Sequence, residues 1–318
     1  MKDIAMSFPQ TKVLEDRGAA LLLAIGLLAL FAMMGTAYVT YMGLEAERAR
    51  EDGRSTAARH YAQAGFHAAV GELAAELDAT GSLGAAGSFV FEFPVYEGGP
   101  GEAFQASETV RARVSVDYAD EMSCVNLNAA PPVILESLLG VDTESAEAIA
   151  AALPPEGGPR WLASVDDLAV RGLLAPGDLP QRDVTVYSAA EQAPDSVLMN
   201  VNTVSRRGLE AAFNLTPEEA SAIEDGRPYE SVEQLEEVLG RSLSETPAAD
   251  ITDRLVFESR LARLTCVASV EERRADGEWH PRRTRRIELV AWFPPDAPAE
   301  PVILYWRESG PADSNDSE

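Results

Sequence analysis

CVNLNAAPPVILESLLGVDTESAEAIA, residues Cys124–Ala150, recurs without gaps 74 residues later as LMNVNTVSRRGLEAAFNLTPEEASAIE, Leu198–Glu224. Asn126 aligns with Asn200, Asn128 with Asn202, Leu135 with Leu209, Ala146 with Ala220 and Ile149 with Ile223. Each copy is followed by a second matching signal, SVDDL (Ser164–Leu168) and SVEQL (Ser231–Leu235). Short apolar-periodic segments broken by Pro and Gly read as short helices, and a repeat of this length reads as a duplicated helical unit. Residues 126–253 therefore form a helical domain of two units, about 124–187 and 198–250. The Asn-x-Asn pairs that open each unit are expected to cap the next helix or to close the turn feeding it.

Both flanks of this block alternate apolar and polar residues, the period of a strand with one buried face. On one side lie SFVFEFPVY (Ser88–Tyr96) and ETVRARVSVDYAD (Glu108–Asp120), joined by the Gly-rich EGGPGEA. On the other lie RLVFESRLARLTCVASVEE (Arg254–Glu272), TRRIELVAWF (Thr284–Phe293) and PVILYWRE (Pro301–Glu308). The fold class is α+β: an antiparallel sheet built from 81–125 plus 254–308, with the helical domain inserted. The polar tail 309–318 is expected to be disordered.

Further out, residues Ala19–Met42 carry no charge. At about 1.5 Å per residue, roughly 20 apolar residues cross a bilayer core. The helical pattern continues through 45–79, which has no proline. Ala46, Ala49, Gly53, Ala57, Tyr61, Ala64, Ala68 and Leu73 are expected to form its apolar face. Together these make one helix over 19–80, transmembrane over 19–42 and about 90 Å long. Thr80-Gly81-Ser82 ends it.

The formal charge is −26 over 318 residues. Residues 126–250 hold 22 acids against seven arginines, a field that repels nucleic-acid phosphates. The three histidines, His60, His67 and His280, form no catalytic or metal-spaced constellation with cysteine, and no phosphate loop or nucleophile elbow occurs. The reading is of a protein without enzymatic activity. Cys124 and Cys266 are either a bridge or two separate buried thiols. Arg273, Arg274, Arg282, Arg283, Arg285 and Arg286 flank ADGEWHP and are either a charge-blunted edge or a docking surface for an acidic neighbour.

The Arg17-Gly18 junction ahead of the apolar helix resembles a type IV pilin-like leader. That resemblance implies a leader of residues 1–18, cleaved between Gly18 and Ala19 and methylated by a prepilin peptidase on the cytoplasmic face. Such subunits usually carry glutamate as the fifth mature residue, and Leu23 stands there. An acid in hydrocarbon is costly unless partnered, and in that family the partner is the terminus of the subunit ahead. Leu23 thus marks a subunit with nothing ahead of it.

YAQAGFHAAV, VNLNAAPPVILESLLG, VNTVSRRGLEAAFNLTPEEA and ILYWRE, in this order, resemble the type II secretion minor pseudopilin K family across nearly the whole chain. The resemblance implies a single-pass inner-membrane protein, its bulk periplasmic, at the tip of a pseudopilus that exports folded proteins. Its partners would be the I-type and J-type minor pseudopilins and, through them, the major pseudopilin. No cofactor is required; calcium binding is a family property, and no ligand is assigned here. The alternatives are a minor pilin of a type IV pilus and a membrane-anchored helix-hairpin-helix DNA-uptake receptor. For the latter, the hairpin positions Gly140-Val141-Asp142 and Asn214-Leu215-Thr216 lack the second glycine that cradles a phosphate.

Overall fold

The computed structural model describes residues 11–97, 103–152, 162–175, 183–187, 198–243 and 254–309. The Gly-rich turn at 98–102, the tail at 310–318 and the first ten leader residues lie outside them. Helix α1 runs Thr11–Thr80. It starts eight residues before the expected Ala19; 11–18 contain no proline to stop it, and Lys12, Leu14, Glu15 and Arg17 are good helix formers. The chain divides into two compact units, 1–56 and 57–318.

In the first unit every described apolar side chain between Leu21 and Met42 faces outward; Leu23 is 66% exposed. In the second unit, α1 from Ala57 onward buries Ala58, Ala62, Phe66, Ala69, Val70, Leu73, Ala74 and Leu77. The expected face is thus corrected by about one residue. Tyr61, Ala64 and Ala68 sit at its margin, Leu73 lies at its centre, and Ala46, Ala49 and Gly53 are exposed. Small residues surround the helix on all sides, so the larger Phe66, Val70 and Leu77 choose the face, each worth about 1.5–3 kcal/mol when buried.

That face packs on a five-stranded antiparallel sheet, β1 (Ala86–Glu97), β2 (Gln105–Asp120), β7 (Leu261–Arg273), β8 (Trp279–Trp292) and β9 (Val302–Ser309), in the order β1-β2-β7-β8-β9. Alternate residues of β2 and β7, including Val114, Val116, Leu264, Cys266 and Ala268, point into the helix–sheet core. Gly65 lets the two layers approach: a Cβ there would lie 2.4 Å from Val114 Cγ1.

The helical domain fills the single connection between the adjacent strands β2 and β7. A 3-10 turn at Glu121–Ser123 leaves the sheet, and then each unit repeats one plan. The first has β3 (Val125–Asn126), α2 (Pro132–Leu139), α3 (Thr143–Ala151), α4 (Asp167–Val170) and β4 (Val184–Thr185). The second has β5 (Met199–Asn200), α5 (Arg206–Phe213), α6 (Pro217–Asp225), α7 (Val232–Leu239) and β6 (Leu255–Val256). β3 pairs in parallel with β4, and β5 with β6. The expected strand over Arg254–Glu272 is therefore two strands. Leu255–Val256 closes the second unit, which extends past residue 250, and the sheet resumes at Leu261 rather than at 254. Likewise Val125 opens the first unit, so the sheet's first half ends at Asp120. One apolar core runs through both units and reaches the end of the sheet at Leu261 and Val290.

Candidate functional site

The junction between the sheet and the inserted domain is built around two adjacent buried acids. Asp120, the last residue of β2, is 1% exposed and Glu121 is 2% exposed. One Asp120 carboxylate oxygen accepts from Met122 N at 2.8 Å and from the Ser259 hydroxyl. The other accepts from Asn200 Nδ2 at 3.0 Å and from the Thr203 hydroxyl. Burial raises the Asp120 pKa, and the four donors oppose that rise. Glu121 accepts a bidentate pair from Arg263 of β7, at 2.8 and 2.6 Å, and the Thr185 hydroxyl of β4. Burial works against the Arg263 charge, and Glu121 and Glu288 outweigh it, so the guanidinium pKa rises. Asp120 thus holds the second unit and Glu121 the first. No local pattern marks this pair, because its partners are remote in the chain.

Of the two roles expected for the asparagines, Asn126 and Asn200 take the turn-closing one, and helix capping is corrected: none of the four caps a helix, and Asn128 and Asn202 act as clamps. Asn126 Oδ1 accepts from Asn128 N, and Asn200 Oδ1 from Asn202 N, both at 3.0 Å, closing the turn after each short strand. Asn128 grips Leu162 N, Leu162 O and Val186 O. Asn202 grips Tyr229 N, Tyr229 O and Phe257 O in the same pattern. The helix caps fall elsewhere: Asp142 accepts from Ser145 N, Ser205 from Gly208 N, and Thr216 forms a capping box with Glu219. An extended strand followed by a turn leaves asparagine too far upstream to reach the first helical N–H groups.

Two helix-hairpin-helix turns result, α2 to α3 and α5 to α6. Gly140 (φ 67°) and Asn214 (φ 51°) supply the left-handed residue that ends the first helix of each. Amides that a phosphate would need are occupied by Asp142 and, in the second copy, by the Thr216–Glu219 box. Hydrogen bonds from Ser145 hold the Asp142 pKa below the ordinary range, as those from Arg241 and Thr216 do for Glu219. Both hairpin tips carry stabilised negative charge.

The remaining sequence candidates are scattered. Gly18 and Ala19 lie within the backbone of α1, with no boundary between them. Cys124 and Cys266 are thiols and not a disulfide. Cys266 lies mid-strand opposite Val116, four residues inside the Asp120–Ala262 pair that ends the ladder, and Cys124 lies beyond that end. Burial pushes each thiol up to about 12, with Glu121 adding to the rise at Cys124. Of the histidines, His60 and His67 are exposed on α1. On the β7–β8 hairpin, Asp276, Glu278 and His280 each offer a ligand atom within 4.8 Å of the others. The same hairpin holds Arg111 over Trp279 at 4.4 Å, and Arg282 pairs with Glu272. Its basic segment of β8 pairs with β7 on one side; on the other, Arg282, Arg283 and Arg285 lie beyond the last β9 pair, Arg286–Ser309.

A long apolar helix continuing onto an antiparallel sheet, with a duplicated helical domain between two neighbouring strands, is a distinctive arrangement. One chain of the crystal structure of the GspK-GspI-GspJ complex from the enterotoxigenic Escherichia coli type 2 secretion system superimposes on it. The TM-score is 0.52 at 16% identity, over 82% of this chain and 99% of that one. The fold is shared with a type II secretion component. It is the fold that the K-type resemblance implied: α+β, with the long N-terminal helix, the sheet and the inserted helices all present. No protein-family model matches the chain, and no curated protein matches it in sequence. Among the described residues α1 is the one helix long and apolar enough to cross a membrane.

Proposed function

We propose that this protein is a minor pseudopilin of a type II secretion system, at the tip of the pseudopilus. One observation carries the reading: a two-unit helical domain occupies the connection between adjacent strands of a sheet that packs on α1. The apolar residues of α1 supply a single-pass anchor in the bacterial inner membrane, and the acidic bulk of the chain lies in the periplasm. A prepilin peptidase cuts after Gly18. Gly26, Ala29, Ala32, Gly35 and Ala37 let the helices of I-type and J-type partners approach closely in lipid. With Leu23 in place of an acid, the subunit needs no terminus ahead of it, and it initiates assembly as the leading member. The inserted domain, fixed to the sheet through Asp120 and Glu121, adds bulk that blocks stacking above it.

This role is structural and uses no catalytic group. Calcium is retained as a property implied by the resemblance, without assigned ligands. Co-expression with a prepilin peptidase, followed by N-terminal sequencing, tests the class. A mature start at Ala19 is expected, and an uncut chain overturns it. Gold-labelled copies on isolated filaments test the position: label at one end supports the tip, and label along the shaft refutes it.

A further inference from the structure

The two edges of the sheet differ in composition. β1 carries Pro94, which has no N–H to offer, and its pairing shifts between Pro94 and Tyr96. Both devices discourage a further strand. β9, the other edge, is VILYWRES, eight residues without proline or lysine; its pairing with β8 shifts once, between Val290 and Ala291. Val302, Ile303 and Trp306 on it are 46%, 39% and 39% exposed. An open apolar edge of this length presents main-chain N–H and C=O groups to a new strand.

A cleft of about 650 Å³ lies beside this edge, lined by Leu162, Asp166, Tyr187, Tyr305, Trp306 and Arg307 among others, so its charged lining is one acid and one arginine. Its walls are fixed by aromatic contacts. Tyr187 lies 5.6 Å from Tyr305, and Trp306 stands edge-on to Phe66 at 6.0 Å. The volume is in the range of a specific side-chain or ligand pocket. Charge adds direction. Arg59, Arg111, Arg263 and Arg282 of this unit are ion-paired. Arg307 and Arg286, on neighbouring strands with Arg286 opposite Ser309, make no ion pair among the described residues.

We propose that β9 accepts an extended, acidic and apolar segment of a partner protein as a sixth strand. Main-chain hydrogen bonds hold the segment along the edge, one apolar side chain enters the cleft, and carboxylates meet Arg286 and Arg307. A second copy of this chain fits less well, because its β9 brings a second Arg307, and no further carboxylate-rich strand, to the seam. The inference goes beyond the assembly role and does not depend on it.

The test uses the full chain in detergent and a labelled peptide, acetyl-Glu-Val-Glu-Phe-Glu-Val-Glu-amide, followed by fluorescence anisotropy. Saturable binding is expected. Replacing the peptide Phe by Ala should weaken it at least tenfold, as should filling the cleft with Ala163→Trp. N-methylation of alternate peptide amides should abolish it. An Arg286→Glu/Arg307→Glu variant should lose the acidic peptide and bind the version with Lys in place of Glu, which also demonstrates that the variant is folded. Absence of saturable binding, or equal binding of the N-methylated peptide, overturns the proposal. A concentration-dependent dimer in light scattering that the peptide dissolves would also overturn it, assigning the edge to a second copy.

Discussion

Asn128 and Asn202 occupy equivalent positions in the two units, and substitution of either by alanine should cost the same kind of energy. Asn202 receives Tyr229 N at 2.7 Å and donates to Tyr229 O and Phe257 O at 2.9 and 3.0 Å. Asn128 makes the matching bonds to Leu162 and Val186 at 3.1, 3.2 and 3.1 Å. Three bonds at roughly 1 kcal/mol each give about 3 kcal/mol. Both side chains are half-buried, so water returns part of this and about 2–3 kcal/mol is expected. The shorter bonds make Asn202→Ala the costlier change. Asn→Asp at either site keeps the acceptor but replaces the Nδ2 that makes both donations by one oxygen facing two carbonyls, so it should be no milder. Urea unfolding measures the loss, and amide hydrogen exchange locates it: Leu162 should lose protection in one variant and Tyr229 in the other. A cost below about 1 kcal/mol in both variants, or unchanged exchange at these two amides, would refute the clamp.

Gly65→Ala should destabilise the helix–sheet packing. A Cβ 2.4 Å from Val114 Cγ1 and 3.1 Å from its Cβ must displace a stiff β-branched side chain, at about 2–3 kcal/mol, which exceeds the helix-propensity gain of roughly 1 kcal/mol and leaves a net loss of about 1–2 kcal/mol. The double variant with Val114→Ala should recover part of the loss in thermal unfolding; equal melting of Gly65→Ala and wild type would contradict the close approach. Asp120 predicts a pH dependence. Its pKa is raised in the folded protein, so the stability it contributes is complete below the unfolded carboxyl value and is lost as pH rises through the folded value. Urea unfolding should therefore show wild type weakening relative to Asp120→Asn as pH climbs above the ordinary aspartate range. Parallel pH profiles for the two proteins would rule this out.

The repeat, the strands and the apolar helix were legible because each is a local period: 3.6 along α1, two along β2 and β7, and 74 residues between the units. Sequence by itself thus determined the α+β class, the insertion and the anchor-like helix. The asparagine pairs and the turns they close were legible too, although the clamps made by Asn128 and Asn202 were not. What only the tertiary structure decided were the meetings between distant residues. Asp120 gathers donors from 200, 203 and 259, Glu121 binds residues 185 and 263, and the asparagines reach across their units. The same holds for the divided strand at 254–272, where Leu255–Val256 pairs with Met199–Asn200. Alternation tells a strand which face to bury, but its partner is chosen by which unsatisfied backbone lies beside it after the chain has folded. The buried face of α1 shows the same limit. A helix of small residues has no strongly preferred side until a sheet is laid against it, here with Val114 against Gly65.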